Sequence, residues 1–221
     1  DIGGSKTVEE AQSKLGTYPV LNMLNTKYLI VGGENPPLVN YKAMGNCWFA
    51  DSLLWVSGAT EEISKIGECD LTRIAVVSKQ FEKELSGISL KSDRTPAGSI
   101  NLSGPAIPEE SIILTLYSPN ELKYRSVTSR ERIAVFSEIF YPAGWSAYID
   151  GQPAEIFRAN YILRALRVPA GDHEIEFRYR PASFVKGARY SRISSGLLIL
   201  LLLSAISYEV AGGLRKKDKK A

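Results

Sequence analysis

RIAVFSEIFYPAGWSAYIDGQPAEIFRANYILRALRVPAGDHEIEFRYR, residues 132–180, is the stretch that decides the fold. Arg132 to Tyr141 is apolar on both faces, as a strand covered from both sides should be. Trp145, Ala147 and Ile149 then alternate inward before Asp150-Gly151, a pair suited to the left-handed backbone of a two-residue hairpin. Tyr161 to Val168 predicts another strand, ended by the turn residues Pro169-Ala170-Gly171-Asp172. The last strand alternates most cleanly: Ile175, Phe177 and Tyr179 share one face, while Glu174, Glu176, Arg178 and Arg180 share the other. Just upstream, Ile112 to Tyr117 and Leu122 to Val127 read as two strands joined by Ser118-Pro119-Asn120. Short strands with turns every ~8–12 residues predict an antiparallel β-sandwich over residues 111–185.

Working back toward the start, residues 92–110 (SDRTPAGSINLSGPAIPEE) shift to Pro, Gly and Ser and read as a loop or linker. Residues 1–91 read as a mixture of helix and strand. Thr7 and Glu10 form a capping box, in which each side chain bonds the other residue's backbone N–H. Val8, Ala11 and Leu15 fall on one helix face, and Gly16 suits a left-handed stop. Pro19 opens a second short helix through Val20, Leu21 and Leu24. Lys27 to Val31 predicts a strand closed by Gly32-Gly33, and Leu53 to Val56 another. Thr60, Glu61 and Glu62 begin a helix, with the acids at the positive end of its dipole. The fold class is therefore α+β, predominantly β.

Working forward, the chain becomes apolar. Gly196 to Tyr208 has no charge, and extension to residues 193–214 gives a segment long enough for a bilayer, with Glu209 near one end. No polar face interrupts it, so a span is expected rather than a helix lying on the surface. Arg215, Lys216, Lys217, Lys219 and Lys220 follow it, in the tail 215–221. Lys186, Arg189 and Arg192 precede it. The excess of basic residues after the span predicts a cytosolic tail and an extracytoplasmic domain. The formal charge of +3 owes much to that tail, so it does not argue for nucleic-acid binding, which needs a basic folded face. Asp1-Ile2-Gly3-Gly4 resembles no signal peptide, and the expectation is an exported domain delivered by a segment upstream.

Chemistry is hard to find. Cys47 and Cys69 form no metal or redox motif; the simplest reading is two small buried residues, with a single bridge as the alternative. The sole histidine, His173, sits beside a turn and reads as a solvated hairpin residue rather than a general base. Glu174 and Glu176 on a strand face, and Glu61 and Glu62 at a helix start, read as solvated, and Asp150 serves its turn. No nucleophile elbow, zincin helix or phosphate loop is present. No residue is assigned as catalytic, cofactor-binding or metal-ligating, and no cofactor is expected. The remaining lead is aromatic. Trp145, Tyr148, Phe157 and Tyr161 gather around the Asp150 hairpin, either as a sugar-stacking surface or, more simply, as core.

Three segments carry a family resemblance: YPVLNMLNTKYLIV at 18–31, GNCWF at 45–49 followed by Asp51, and residues 134–181. The third is the most specific, through YPAGWSAYIDG and RANYILRALRVPAGDHEIEF. Together they resemble the C-terminal region of YfhO-like bacterial membrane proteins. The resemblance implies a multi-pass protein similar to GT-C-type glycosyltransferases, which use a polyprenyl-phosphate-linked sugar donor. This chain would then be an accessory extracytoplasmic domain and the last span, in the bacterial inner membrane. Its partners would be the bilayer and, through upstream parts, a glycan or lipid-linked sugar. The alternative is a non-catalytic, membrane-tethered carbohydrate-binding or scaffolding module. An independent soluble hydrolase fits neither the tail nor the missing catalytic pattern.

Overall fold

The computed structural model describes residues 4–5, 7–31, 36–83, 85 and 110–218, with the side chains of the last helix described as far as 208. The linker expected at 92–110 lies outside the described residues except for Glu110. Residues 1–179 form one compact unit and 180–221 another.

The first unit opens with helix α1 (Val8–Leu15), where the Thr7 hydroxyl accepts the Glu10 N–H at 3.1 Å. Gly16 departs from expectation. Its φ of −64° is right-handed, and what matters is its missing Cβ, which would come within 2.9 Å of the Lys42 side chain. Helix α2 (Pro19–Met23) starts on its proline, which needs no N–H partner. Strands β1 (Tyr28–Leu29) and β2 (Leu38–Val39) pair beneath α1, with Ala11, Leu15 and Leu38 as a small core.

Strands β3 (Cys47–Ala50) and β4 (Ser52–Val56), helix α3 (Ala59–Glu68) and strand β5 (Ile74–Ser78) come next. Strands β4 and β5 are parallel neighbours joined through α3, a β-α-β crossover inside an otherwise antiparallel architecture. After Glu110 come β6 (Ser111–Ser118), β7 (Glu121–Thr128), β8 (Arg132–Ile139), β9 (Trp145–Ile149), β10 (Gln152–Ala154), β11 (Phe157–Ala159), β12 (Leu163–Val168) and β13 (Gly171–Tyr179).

These strands fall into a sheet ordered β10-β9-β13-β7-β6 and another ordered β3-β8-β12-β11-β5-β4. Phe49, Leu122, Tyr124, Ala134, Phe136, Leu166, Ile175 and Phe177, drawn from both sheets, fill the space between them. The far face of the second sheet packs Ile133, Val135, Leu163 and Ala165 against Met23 of α2 and Ile66 of α3. That sheet is covered on both sides, which is why Ile133 to Phe136 of β8 runs apolar without alternation. The fold is α+β and mostly strand.

Asp150 (φ 50°) and Gly151 (φ 78°) make the expected left-handed hairpin between β9 and β10, with Ile149 opposite Gln152. The Pro169–Asp172 turn does something else. It carries the chain from β12 in one sheet to β13 in the other, so it is a corner and not a hairpin.

The second unit is helix α4 (Ala182–Asp218). It begins at Ala182, well before the expected 193, so residues 182–185 belong to it and not to the sandwich. At ~1.5 Å per residue its 37 residues extend about 55 Å. Residues Ala182–Tyr208 are long and apolar enough to cross a membrane. Leu197 through Leu203 and Ile206 are more than half exposed, an all-round apolar surface that suits lipid. Replacing Leu201 with arginine is expected to raise the apparent cost of insertion by about 3–4 kcal/mol. A membrane-insertion reporter reads this, and unchanged insertion would refute the span.

Candidate functional site

Arg164 is the least expected residue in the inter-sheet space. Along β12, Leu163 and Ala165 face the helices, so Arg164, Leu166 and Val168 must face the other sheet. The register between β12 and β8 slips at Leu163/Arg164, the kind of irregularity that redirects a side chain. Arg164 is 2% exposed. Its Nε donates to the Ile139 carbonyl at 3.0 Å and its Nη2 to Glu138 at 3.3 Å. Its guanidinium lies 4.2 Å from the Trp145 ring centre and 5.0 Å from that of Phe177. The Nη1 atom is buried and has no hydrogen-bond partner among the described residues.

Burial pulls the Arg164 pKa down and, as the main cause, pushes that of Glu138 up, although Arg164 opposes the latter. Each charge of this pair is therefore under desolvation stress that the other only partly relieves.

Arg164 lines a cavity of about 340 Å³ together with Phe140, Tyr141, Trp145, Tyr148 and Ile156, a size within the ~300–1,000 Å³ range of small-molecule sites. The β8–β9 corner supplies one wall. Gly144 in that corner is in close contact with the Tyr179 ring, which would collide with any Cβ there. The glycine thus lets Trp145 and Tyr179 pack at 5.1 Å between centres.

The aromatic cluster expected from sequence is therefore divided. Trp145 and Tyr148 line the cavity. Phe157 is buried in the core on the helix side, and Tyr161 packs against that same core with Arg158 over its ring at 5.6 Å. Arg164 and Glu138 were missed by the sequence reading. The available signal was a cation sharing its parity with Leu166 and Val168 in an apolar strand.

Several residues read as solvated are not. Glu62 is wholly buried and accepts hydrogen bonds from the Tyr161 N–H at 2.7 Å and from Arg158 at 3.0 Å, tying α3 to the β11–β12 turn. Glu176 is buried and bonded to Arg178. Asn160, fully buried with φ 49°, exchanges hydrogen bonds with the backbone of Val76 and so joins β11 to β5. Cys47 and Cys69 are free thiols in different clusters, Cys47 between the sheets and Cys69 on the helix side. Burial pushes the Cys47 thiol up to about 12.

His173 is also more engaged than a solvated hairpin residue. Its side chain is 18% exposed. Its Nδ1 is 2.6 Å from the Asp150 carboxylate and its Nε2 is 3.0 Å from the Ala170 carbonyl. Both partners only accept, so the imidazolium form satisfies both ring nitrogens. Asp150 also accepts the Glu174 N–H at 2.9 Å. The Asp150 hydrogen bond raises the His173 pKa above 6.5, and the same bond lowers that of Asp150 below 3.8. The histidine contribution is complete below about pH 6.5 and lost as pH rises through the elevated folded value. The aspartate contribution is complete above about pH 3.8 and lost as pH falls through its depressed value. The melting temperature is expected to decline from pH 6 to pH 8, and less so in His173→Gln. Equal declines in thermal melts would refute this link.

Among the described residues, no group of three His, Cys, Asp or Glu side chains is placed to hold a metal. What the fold defines is a two-sheet domain with a buried cation in an aromatic cavity, followed in the chain by a helix able to span a bilayer. Residues 103–191 match the family model described as bacterial membrane protein YfhO. Over that range, from just before β6 into the first turns of α4, the chain is similar to the YfhO family. The match takes in the third of the three resembling segments; the first two lie outside it. No curated protein and no solved structure matches the chain.

Proposed function

We infer that the chain is an accessory extracytoplasmic domain, residues 1–179, attached to the last span of a multi-pass protein that uses polyprenyl-phosphate-linked sugars to modify surface glycans. In this reading the domain holds a saccharide in the Arg164 cavity while the chemistry takes place in upstream helices. The observation that carries it is the cavity lined by Tyr141, Trp145 and Tyr148, aromatic side chains of the type on which sugars stack. The YfhO match, which runs through the cavity residues into α4, supports the membrane setting. The basic tail supports a cytosolic C-terminus.

Binding of the detergent-solubilised chain to an array of bacterial glycans tests the reading. Wild type is expected to bind, and Tyr141→Ala, which alters an exposed wall, is expected to weaken binding several-fold. Absence of binding to every glycan would overturn it. Alkaline phosphatase fused at the Asp150-Gly151 hairpin should be active, and fluorescent protein fused after Ala221 should fluoresce; the reverse pattern would overturn the orientation.

A further inference from the structure

We propose that Lys186, Arg189 and Arg192 form a basic collar that binds the phosphate of an anionic lipid headgroup where α4 enters the bilayer. The inference goes beyond the saccharide reading and rests only on α4 crossing the membrane. Three observations carry it.

The first is depth. Tyr190 and Tyr208 are both exposed on α4, and at ~1.5 Å per residue they are about 27 Å apart along it. That is close to the ~30 Å thickness of a bilayer's hydrocarbon core, and tyrosines favour the two interfaces that bound it. Tyrosines at those interfaces put Arg189 and Arg192 at one headgroup layer, with Lys186 about 6 Å further out.

The second is uncompensated charge. Residues 180–208 contain no Asp or Glu. Lys186, Arg189 and Arg192 are exposed, and among the described residues no carboxylate pairs with them. They fall within about 120° of the helix circumference and about 9 Å of its length. Residues three apart on a helix are side-chain neighbours, so two of these cations can share one phosphate, whose oxygens suit the arginine fork.

The third is the pose of Arg192, the deepest of the three. Its Nε donates to the Ala188 carbonyl at 3.3 Å, so the side chain runs back along α4, away from the apolar segment. That is the direction in which a cation near the end of a span reaches the headgroups.

Electron spin resonance of spin-labelled lipids around the full chain in phosphatidylcholine vesicles tests this, since lipids held at the protein give a motion-restricted signal. The competing basic tail is first neutralised by replacing Arg215, Lys216, Lys217, Lys219 and Lys220 with glutamine. Phosphatidylglycerol is then expected to be favoured over phosphatidylcholine at the protein by about fivefold or more. Adding Lys186→Gln, Arg189→Gln and Arg192→Gln is expected to bring that ratio close to one. An undiminished phosphatidylcholine signal shows that this variant still spans; without it, the ratio before the collar is altered decides. A ratio near one before the collar is altered, or a ratio unchanged afterwards, would overturn the proposal. Sodium phosphate lowering the ratio more than sodium chloride of equal ionic strength would overturn the choice of a lipid over free phosphate. A restricted signal from neither lipid would overturn the crossing of α4 as well, and the glycan array decides the saccharide reading independently.

Discussion

Replacing Phe177 with alanine is expected to destabilise the domain by about 3–5 kcal/mol, the usual cost of truncating a buried aromatic. Phe177 is fully buried at the centre of the inter-sheet space. It meets Phe136 edge-on at 4.9 Å between centres and Tyr124 at 6.0 Å, and those two meet at 4.8 Å. Such edge-to-face pairs add to the burial itself. The Arg164 guanidinium also rests against Phe177, so the deletion opens a void beside a charge. Denaturant melts of the full chain in detergent measure the effect. A loss below about 1 kcal/mol would mean that the two sheets do not share this core.

Asp51→Ala is expected to cost a similar amount, about 3–5 kcal/mol, for a different reason. Asp51 sits between β3 and β4, 2% exposed, and accepts a 2.9 Å hydrogen bond from Arg132, which is 1% exposed. Removing the carboxylate leaves a buried guanidinium dependent chiefly on Glu110 at 3.5 Å, and stranding one partner of a buried pair is strongly destabilising. Arg73 also donates to Asp51 at 2.9 Å, but its side chain is 48% exposed. Arg73→Ala is therefore expected to cost under about 1 kcal/mol. The contrast between Asp51→Ala and Arg73→Ala in the same melts separates burial from ion pairing. Comparable losses for both would refute the argument.

The Arg132–Asp51 pair also marks how the two parts of the chain are joined. Asp51 belongs to the stretch read as mixed helix and strand, whereas Arg132 begins the first strand of the quoted stretch. The segment at 92–110 separates these parts in sequence, yet β3, β4 and β5 lie in the same sheet as β8, β11 and β12. Pairings such as Cys47 with Phe136 and Ala159 with Val77 are made across long stretches of chain. No local pattern announces them. Strand β5 was missed for a related reason: Ile74 to Val77 is a short apolar run without alternation, which periodicity alone cannot assign.

The site was legible only in part. The Trp145 and Tyr148 aromatics stood out in the sequence, but so did Phe157 and Tyr161, and composition could not tell wall from core. Which aromatics line a cavity depends on how the strands are ordered in the sheet, and here β9 lies between the edge strand β10 and β13. Glu62 shows the same limit for charge. A helix-start glutamate is usually solvated, and this one is buried because α3 lies over the β11–β12 turn, whose Tyr161 N–H and Arg158 need an acceptor.

For residues 132–180, then, the amino-acid pattern determined by itself that strands alternate or run apolar, where the Asp150-Gly151 hairpin turns, and that an apolar helix follows. Those features are local: side-chain parity, left-handed φ and hydropathy act over a few residues. The tertiary structure decided that the Pro169–Asp172 turn is a corner between sheets and that Glu62 and Arg164 are buried. Each of these depends on what lies across the core, and a strand does not carry that information until its partners are in place.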